Sequence, residues 1–271
     1  MLVMLVAAAC STVETLETVP PPMSASDPAK YAALVIDGGS GRTLYSVNAE
    51  QPRFPASLTK MMTLYMLFEA MDAGRVTPDT LIPVSQNAAS QPPSKLRLKA
   101  GGAIDAQSAV QALATKSAND VACAVGEFLG GSEARFAAMM TAKARALGMR
   151  GTNFVNASGL GDPMQITTAR DMAVLGMALQ KRFPHRFGVF SATSFNFRGQ
   201  NVRGHNDLLG RVEGVNGIKT GYIRASGFNI VTSVQARGRK LIVVVMGGKS
   251  ARARNDEVEH LINRYLPEAQ M

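Results

Sequence analysis

The sequence has no tryptophan, only five tyrosines, two cysteines and three histidines in 271 residues. Each scarcity removes a class of function. Single-stranded nucleic acid is gripped by aromatic platforms interleaved with basic residues, and no such interleaving occurs, so no nucleic-acid partner is expected. Two cysteines cannot build a disulfide framework. His185, His205 and His260 show no metal-ligand spacing, so no metal or other cofactor is expected. No apolar run approaches the ~20 residues of a membrane-spanning helix. Acidic residues are also few, 20 against 29 basic ones, for a net charge of +9. That balance suits an anionic polymer, a carboxylate-rich substrate, or simply a solvated basic surface. What is present is a globular composition, 46% hydrophobic and 18% charged. A chain of this length buries roughly 70–75% of its unfolded surface.

Residues 1–10 form a short apolar stretch ending Ala7-Ala8-Ala9-Cys10. It is too short to span a membrane and reads as an export signal. Small residues before a cysteine resemble a bacterial lipoprotein signal, with Cys10 lipidated and the domain held to a membrane. An ordinary cleaved signal and a chance cysteine are the other readings, and no Lys or Arg precedes the apolar run. Residues 11–30, with Pro20-Pro21-Pro22, lack periodicity and read as a tether.

Residues 31–271 read as one domain. A hairpin is expected over Ala32 to Asn48, turning at Asp37-Gly38-Gly39-Ser40-Gly41. From Ser57 to Ala73 the pattern is apolar on nearly every face, which predicts a buried central helix. Helical periodicity recurs over Ser108–Leu129, Ser132–Leu147 and Thr168–Gln180, and Cys123 reads as a buried small residue. Strands are expected at Gly217–Ile223, Phe228–Val234 and Leu241–Met246, before a final helix from Arg254 to Tyr265. This order predicts an α+β fold with one antiparallel sheet assembled from both chain ends around a helical middle.

Three short patterns carry chemistry. In Pro55-Ala56-Ser57-Leu58-Thr59-Lys60, Ser57 and Lys60 share a helix face. Burial and the positive end of the helix dipole both favour a neutral Lys60, able to take a proton from Ser57. By itself Ser-x-x-Lys equally describes an N-cap serine followed by a solvated lysine. Ser117-Ala118-Asn119 could be an ordinary turn or cap. Lys219-Thr220-Gly221 sits on a strand, where Gly221 admits a second backbone and Lys219 and Thr220 suit a carboxylate-ended peptide. Its plain alternative is a bulged strand.

In this order the three patterns form the signature of penicillin-binding proteins and class A β-lactamases. Ser117-Ala118-Asn119-Asp120, Asn153-Phe154-Val155-Asn156, Gly159-Leu160, Thr168-Ala169-Arg170-Asp171-Met172-Ala173 and Gly217-Ile218-Lys219-Thr220-Gly221-Tyr222 resemble the D-alanyl-D-alanine carboxypeptidases, over about residues 31–266. The resemblance implies a β-lactamase/transpeptidase-like fold and removal of the terminal D-alanine from peptidoglycan stem peptides. It implies Ser57 as the acylated nucleophile and Lys60 as its base, with Ser117 relaying protons and Asn119 bonding the substrate amide. Lys219 and Thr220 would hold the terminal carboxylate beside Gly221, and the backbone N–H groups of Ser57 and Tyr222 would form the oxyanion hole. β-Lactam antibiotics would be covalent inhibitors.

Some features depart from better-known members. Those continue into a β-rich second domain and a C-terminal anchor, whereas here the sequence ends at Met271, so anchoring is expected at Cys10. Residues 91–98 lack a small-residue run, Lys116 adds a cation, and His205 could line the cleft or lie on the surface. An endopeptidase acting on D-alanyl crosslinks would use the same residues. A β-lactamase would need a deacylating glutamate, and none occurs between Glu133 and Glu213. A non-catalytic wall-binding lipoprotein would not need the Ser57–Lys60 pair.

Overall fold

The computed structural model describes residues 29–271; Cys10 and most of the expected tether lie outside them. The chain opens with the expected hairpin, β1 (Ala32–Asp37) and β2 (Thr43–Val47). The Asp37 carboxylate accepts from Gly39 N–H and Ser40 Oγ–H in its turn, the local bonding that makes aspartate a turn former. A 3-10 turn, Ala56–Thr59, then leads into α1 (Lys60–Asp72). Nearly all of α1 is buried, as an all-round apolar pattern requires.

The helical middle begins with β3 (Leu81–Pro83), α2 (Gln86–Ser90), β4 (Ala103–Asp105) and α3 (Ala106–Gln111). One π-type turn, Ala112–Lys116, separates α3 from α4 (Asn119–Gly130). The uninterrupted helix expected over Ser108–Leu129 is therefore broken at Ser117, which adopts a left-handed conformation (φ 59°, ψ 40°). Apolar periodicity misses the break because Leu113, Val121 and Ala122 stay buried on either side of it. α5 (Glu133–Ala146) and α6 (Ala169–Arg182) follow, N-capped by Ser132 and Thr168. A small hairpin, β5 (Ser194–Phe197) and β6 (Gln200–Arg203), precedes the long strands β7 (Val215–Ile223), β8 (Gly227–Ala236) and β9 (Arg239–Gly248), and α7 (Ala251–Tyr265) closes the fold. The short pairs β3–β4 and β5–β6 were not expected, since three or four residues are too few to show a period.

The main sheet is antiparallel, in the order β2-β1-β9-β8-β7. β1 pairs with β9 from Ala32↔Met246 to Asp37↔Leu241, so the two chain ends meet at the centre. Alternation sends Leu34, Ile36, Val244 and Met246 toward α1 and α6, while Ala33, Val35, Val243 and Val245 meet Val258, Leu261 and Ile262 of α7. Both faces are therefore buried. β7 ends the sheet, leaving its outer edge open beside the 3-10 turn and α4.

Asp120 in the first turn of α4 ties a loop to this edge. Its buried carboxylate accepts from the N–H groups of Leu96 and Leu98 at 3.1 Å and of Val121 at 2.9 Å. Asn119 extends the tie, donating from Nδ2 to Pro92 O at 2.9 Å and from its N–H to Ser94 O at 2.7 Å. Replacing Asp120 by Ala strands these loop donors, at about 1–3 kcal/mol for each one left unsatisfied. Asp120→Ala should lower the urea midpoint by that order while retaining the helical signal; an unchanged midpoint would show that the loop is held elsewhere.

Candidate active site

The open edge of β7, the 3-10 turn and the break before α4 enclose a cleft of about 460 Å³, within the range of ligand sites. Ser57, Ser117, Asn119, Thr220 and Tyr222 line it, so the structure brings residues from all three sequence patterns together. Lys60 and Lys219 stand behind this lining, at 0% and 2% exposure.

Ser57 sits in the 3-10 turn and Lys60 is the first residue of α1. Lys60 Nζ lies 3.0 Å from Ser57 Oγ, 2.7 Å from Asn119 Oδ1 and 2.7 Å from the Ser158 carbonyl. Burial holds its pKa well below the ordinary lysine value, and the charge of Lys219 lowers it further against the opposing pull of Asp120. A neutral amine has two N–H donors and one lone pair. Asn119 and Ser158 take the two donors, which leaves the lone pair facing the Ser57 hydroxyl. The solvated-lysine reading of this motif does not hold, and Ser57 caps no helix.

The backbone around Ser57 is built for close approach. Ala56 has φ 48°, a conformation costing a non-glycine residue about 1–3 kcal/mol. Gly159 packs against it so closely that a Cβ there would lie 1.8 Å from Ala56 O, and its φ of +85° also demands glycine. Gly221 lets β7 reach the nucleophile turn, since a Cβ on it would stand 3.1 Å from Ser57 N. Across the cleft, the left-handed Ser117 presents an Oγ that is buried and, among the described residues, without a hydrogen-bond partner. A substrate group is the natural partner for such an oxygen.

Positive charge dominates the far end. Burial and the nearby Arg254 push Lys219 down to about 7, and its Nζ donates to Thr220 O at 2.9 Å. Arg254, at the start of α7, lines the cleft; its guanidinium donates to Asn255 Oδ1 and Asn229 O, and burial lowers it to about 10 against the opposing charge of Asp207. His205 is exposed and lines the same cleft, so the two expectations for it coincide. Partial desolvation of its ring by the cleft walls, then the charges of Lys219 and Lys116, lower its pKa. Lys116 is half-buried, and its carbonyl accepts from Ser94 Oγ–H at 3.0 Å. The arrangement offers a nucleophile with an adjacent neutral base, and a cationic end suited to a carboxylate.

The sequence pattern of the D-alanyl-D-alanine carboxypeptidase family, peptidase S11, matches residues 18–250. The chain belongs to this family. It is 34% identical over 236 residues to D-alanyl-D-alanine carboxypeptidase DacA of Escherichia coli K12, across 84% of this chain and 59% of that protein. DacD of the same organism is 34% identical over 250 residues, across 89% and 64%. The chain thus spans about three fifths of the length of these curated relatives. Penicillin binding protein 5 from Haemophilus influenzae superposes with a TM-score of 0.84 at 29% identity, across 90% of this chain and 71% of that one. The transpeptidase/β-lactamase-like fold expected from the motifs is the observed one.

Sequence reasoning in this carboxypeptidase-family chain missed Ser158, whose contribution is a backbone carbonyl that no residue pattern encodes. It also missed Arg254. Arg254 precedes Val258 and Leu261 at spacings of four and seven, on the buried side of α7, and a cation on an apolar face was the available signal.

Because Lys60 must be neutral to accept a proton, acylation of Ser57 by an active ester should rise with pH and level off well below pH 10.5. Lys219→Met removes a neighbouring positive charge, so the rise should move to higher pH. Mass spectrometry of the modified serine across a pH series checks both; a rise centred near 10.5 in the unmodified protein would exclude a depressed Lys60.

Proposed function

We propose that this protein is a serine-type D-alanyl-D-alanine carboxypeptidase, removing the terminal D-alanine of peptidoglycan stem peptides through an acyl-enzyme on Ser57. The observation that carries the reading is the buried Lys60 amine, its two donors engaged, 3.0 Å from Ser57 Oγ. Lys60 takes the hydroxyl proton as Ser57 attacks the penultimate carbonyl. The N–H groups of Ser57 and Tyr222 stabilise the oxyanion. Ser117 relays the proton to the departing D-alanine, and Asn119, which also holds Lys60, bonds the substrate amide. The terminal carboxylate rests on Thr220, within the field of Lys219 and Arg254. Water then releases the shortened peptide. β-Lactams, which mimic the scissile amide, acylate the same serine. In support, the relatives above are carboxypeptidases by name, and a further solved neighbour is penicillin-binding protein D2 from Listeria monocytogenes in an ampicillin-bound form (TM-score 0.75, 29% identity, 86% of this chain and 95% of that one).

Incubation with purified muropeptides and mass analysis of the products tests this reading. The expected change is loss of one D-alanine, abolished in Ser57→Ala and reduced about 10²–10⁴-fold in Lys60→Arg, whose guanidinium stays protonated. Cleavage of crosslinked dimers without loss of D-alanine would favour the endopeptidase instead.

Export and lipid anchoring at Cys10 belong to the same proposal. Their support is Ala7-Ala8-Ala9-Cys10, with an apolar stretch before it and a proline-rich stretch after it. Cys10→Ser should shift the protein from the membrane to the soluble fraction or block its maturation. Unchanged membrane association would count against lipidation.

A further inference from the structure

The course of the bound peptide follows from the placement of three groups on β7. Thr220 takes the terminal carboxylate, and Gly221 stands against Ser57, where the scissile carbonyl must lie. Upstream residues therefore pass Tyr222 and Ile223, both lining the cleft, with the peptide antiparallel to β7 on its open edge. Tyr222 stacks on Phe228 at 4.3 Å between ring centroids and stays 53% exposed, forming one wall of this path.

Arg224 stands at the end of the path. It follows cleft-lining Ile223, the last residue of β7, and opens the turn that leads into β8. Thr220 to Ile223 spans about 10 Å at ~3.3 Å per residue, so the turn opened by Arg224 stands beside the third or fourth substrate residue from the carboxyl end. Arg224 is exposed, and among the described residues nothing accepts a hydrogen bond from its guanidinium. Only its carbonyl is engaged, accepting from Lys30 Nζ at 3.4 Å, which places a second cation nearby.

We propose that Arg224 selects stem peptides bearing a free carboxylate upstream of the D-alanyl-D-alanine end, against peptides in which that group is amidated or missing. The inference rests on the carboxypeptidase reading for the direction of the peptide. A guanidinium offers a fork of donors that matches a carboxylate, whereas an amide has lost the charge. Two carboxylates fall within reach: one on the side chain of a diaminodicarboxylic third residue, and the α-carboxylate of an isoglutamyl residue before it.

The test uses full-length Ser57→Ala protein, which retains the cleft without turnover, and four synthetic pentapeptides ending in D-alanyl-D-alanine. One has both upstream carboxylates free, two are amidated at one or the other, and one is amidated at both. Calorimetric titration should show the free peptide binding roughly three- to tenfold more tightly than the doubly amidated one, since the contact is exposed. The singly amidated peptides identify which carboxylate is read. In Ser57→Ala/Arg224→Gln the preference should collapse to about onefold, and Arg224→Lys should restore part of it. Raising salt toward 1 M should shrink it as well. Equal binding of all four peptides, no binding at all, or a preference unchanged by Arg224→Gln overturns the inference. D-Alanine release from the same peptides by the unmodified protein judges the carboxypeptidase reading separately.

Discussion

Everything in the cleft depends on one unfavourable burial. A lysine removed from water loses several kcal/mol of solvation as a cation, and among the described residues no carboxylate is bonded to Lys60 as the ordinary remedy. Lys60 is surrounded instead by neutral acceptors, the Asn119 amide oxygen and the Ser158 carbonyl, which suit an uncharged amine. The nearby carboxylate of Asp120 is occupied by three backbone N–H groups. Lys219 adds repulsion from behind. These features together make the amine a base beside a serine, and the fold has to hold each of them in place.

That requirement accounts for the irregular backbone. Ser57 and Lys60 come from one turn, but Asn119 and Ser158 come from segments 59 and 98 residues away from Lys60. The helical middle must break at Ser117 to aim two side chains inward, and the loop bearing Ser158 must pass within glycine distance of Ala56. Ala56 and Ser117, both with positive φ, sit at these points, where packing over-determines them. The two-faced sheet supplies the rigidity, with β7 held by β8 on one side and forming the edge of the sheet on the other.

The same geometry separates the ends of the cleft by charge and shape. Past Thr220 lie Lys219, His205 and Arg254, a largely cationic end that also holds Asp207. Past Gly221 lies an apolar wall formed by Tyr222, Ile223 and Phe228. The two ends of the cleft are thus distinct in charge and in shape. The overall charge of +9 adds a positive field at longer range.

Much of this was legible in the residues alone. The apolar stretch from Ser57 to Ala73 announced a buried helix, alternation and turn residues located the terminal strands, and three spaced motifs named the site residues, because local patterns record periodicity and chemistry. Other features were decided only by tertiary structure. The π-type turn and break at Ser117 escaped because flanking apolar residues keep helical spacing through them. Ser158 escaped because its contribution is a carbonyl, which every residue possesses. Arg254 escaped because it sits among Arg252 and other polar residues, and only packing against the sheet shows which arginine is buried. Residue order determined which groups were available for catalysis. Their protonation and direction were set by desolvation and by contacts between distant segments, quantities that exist only once the chain has closed around them.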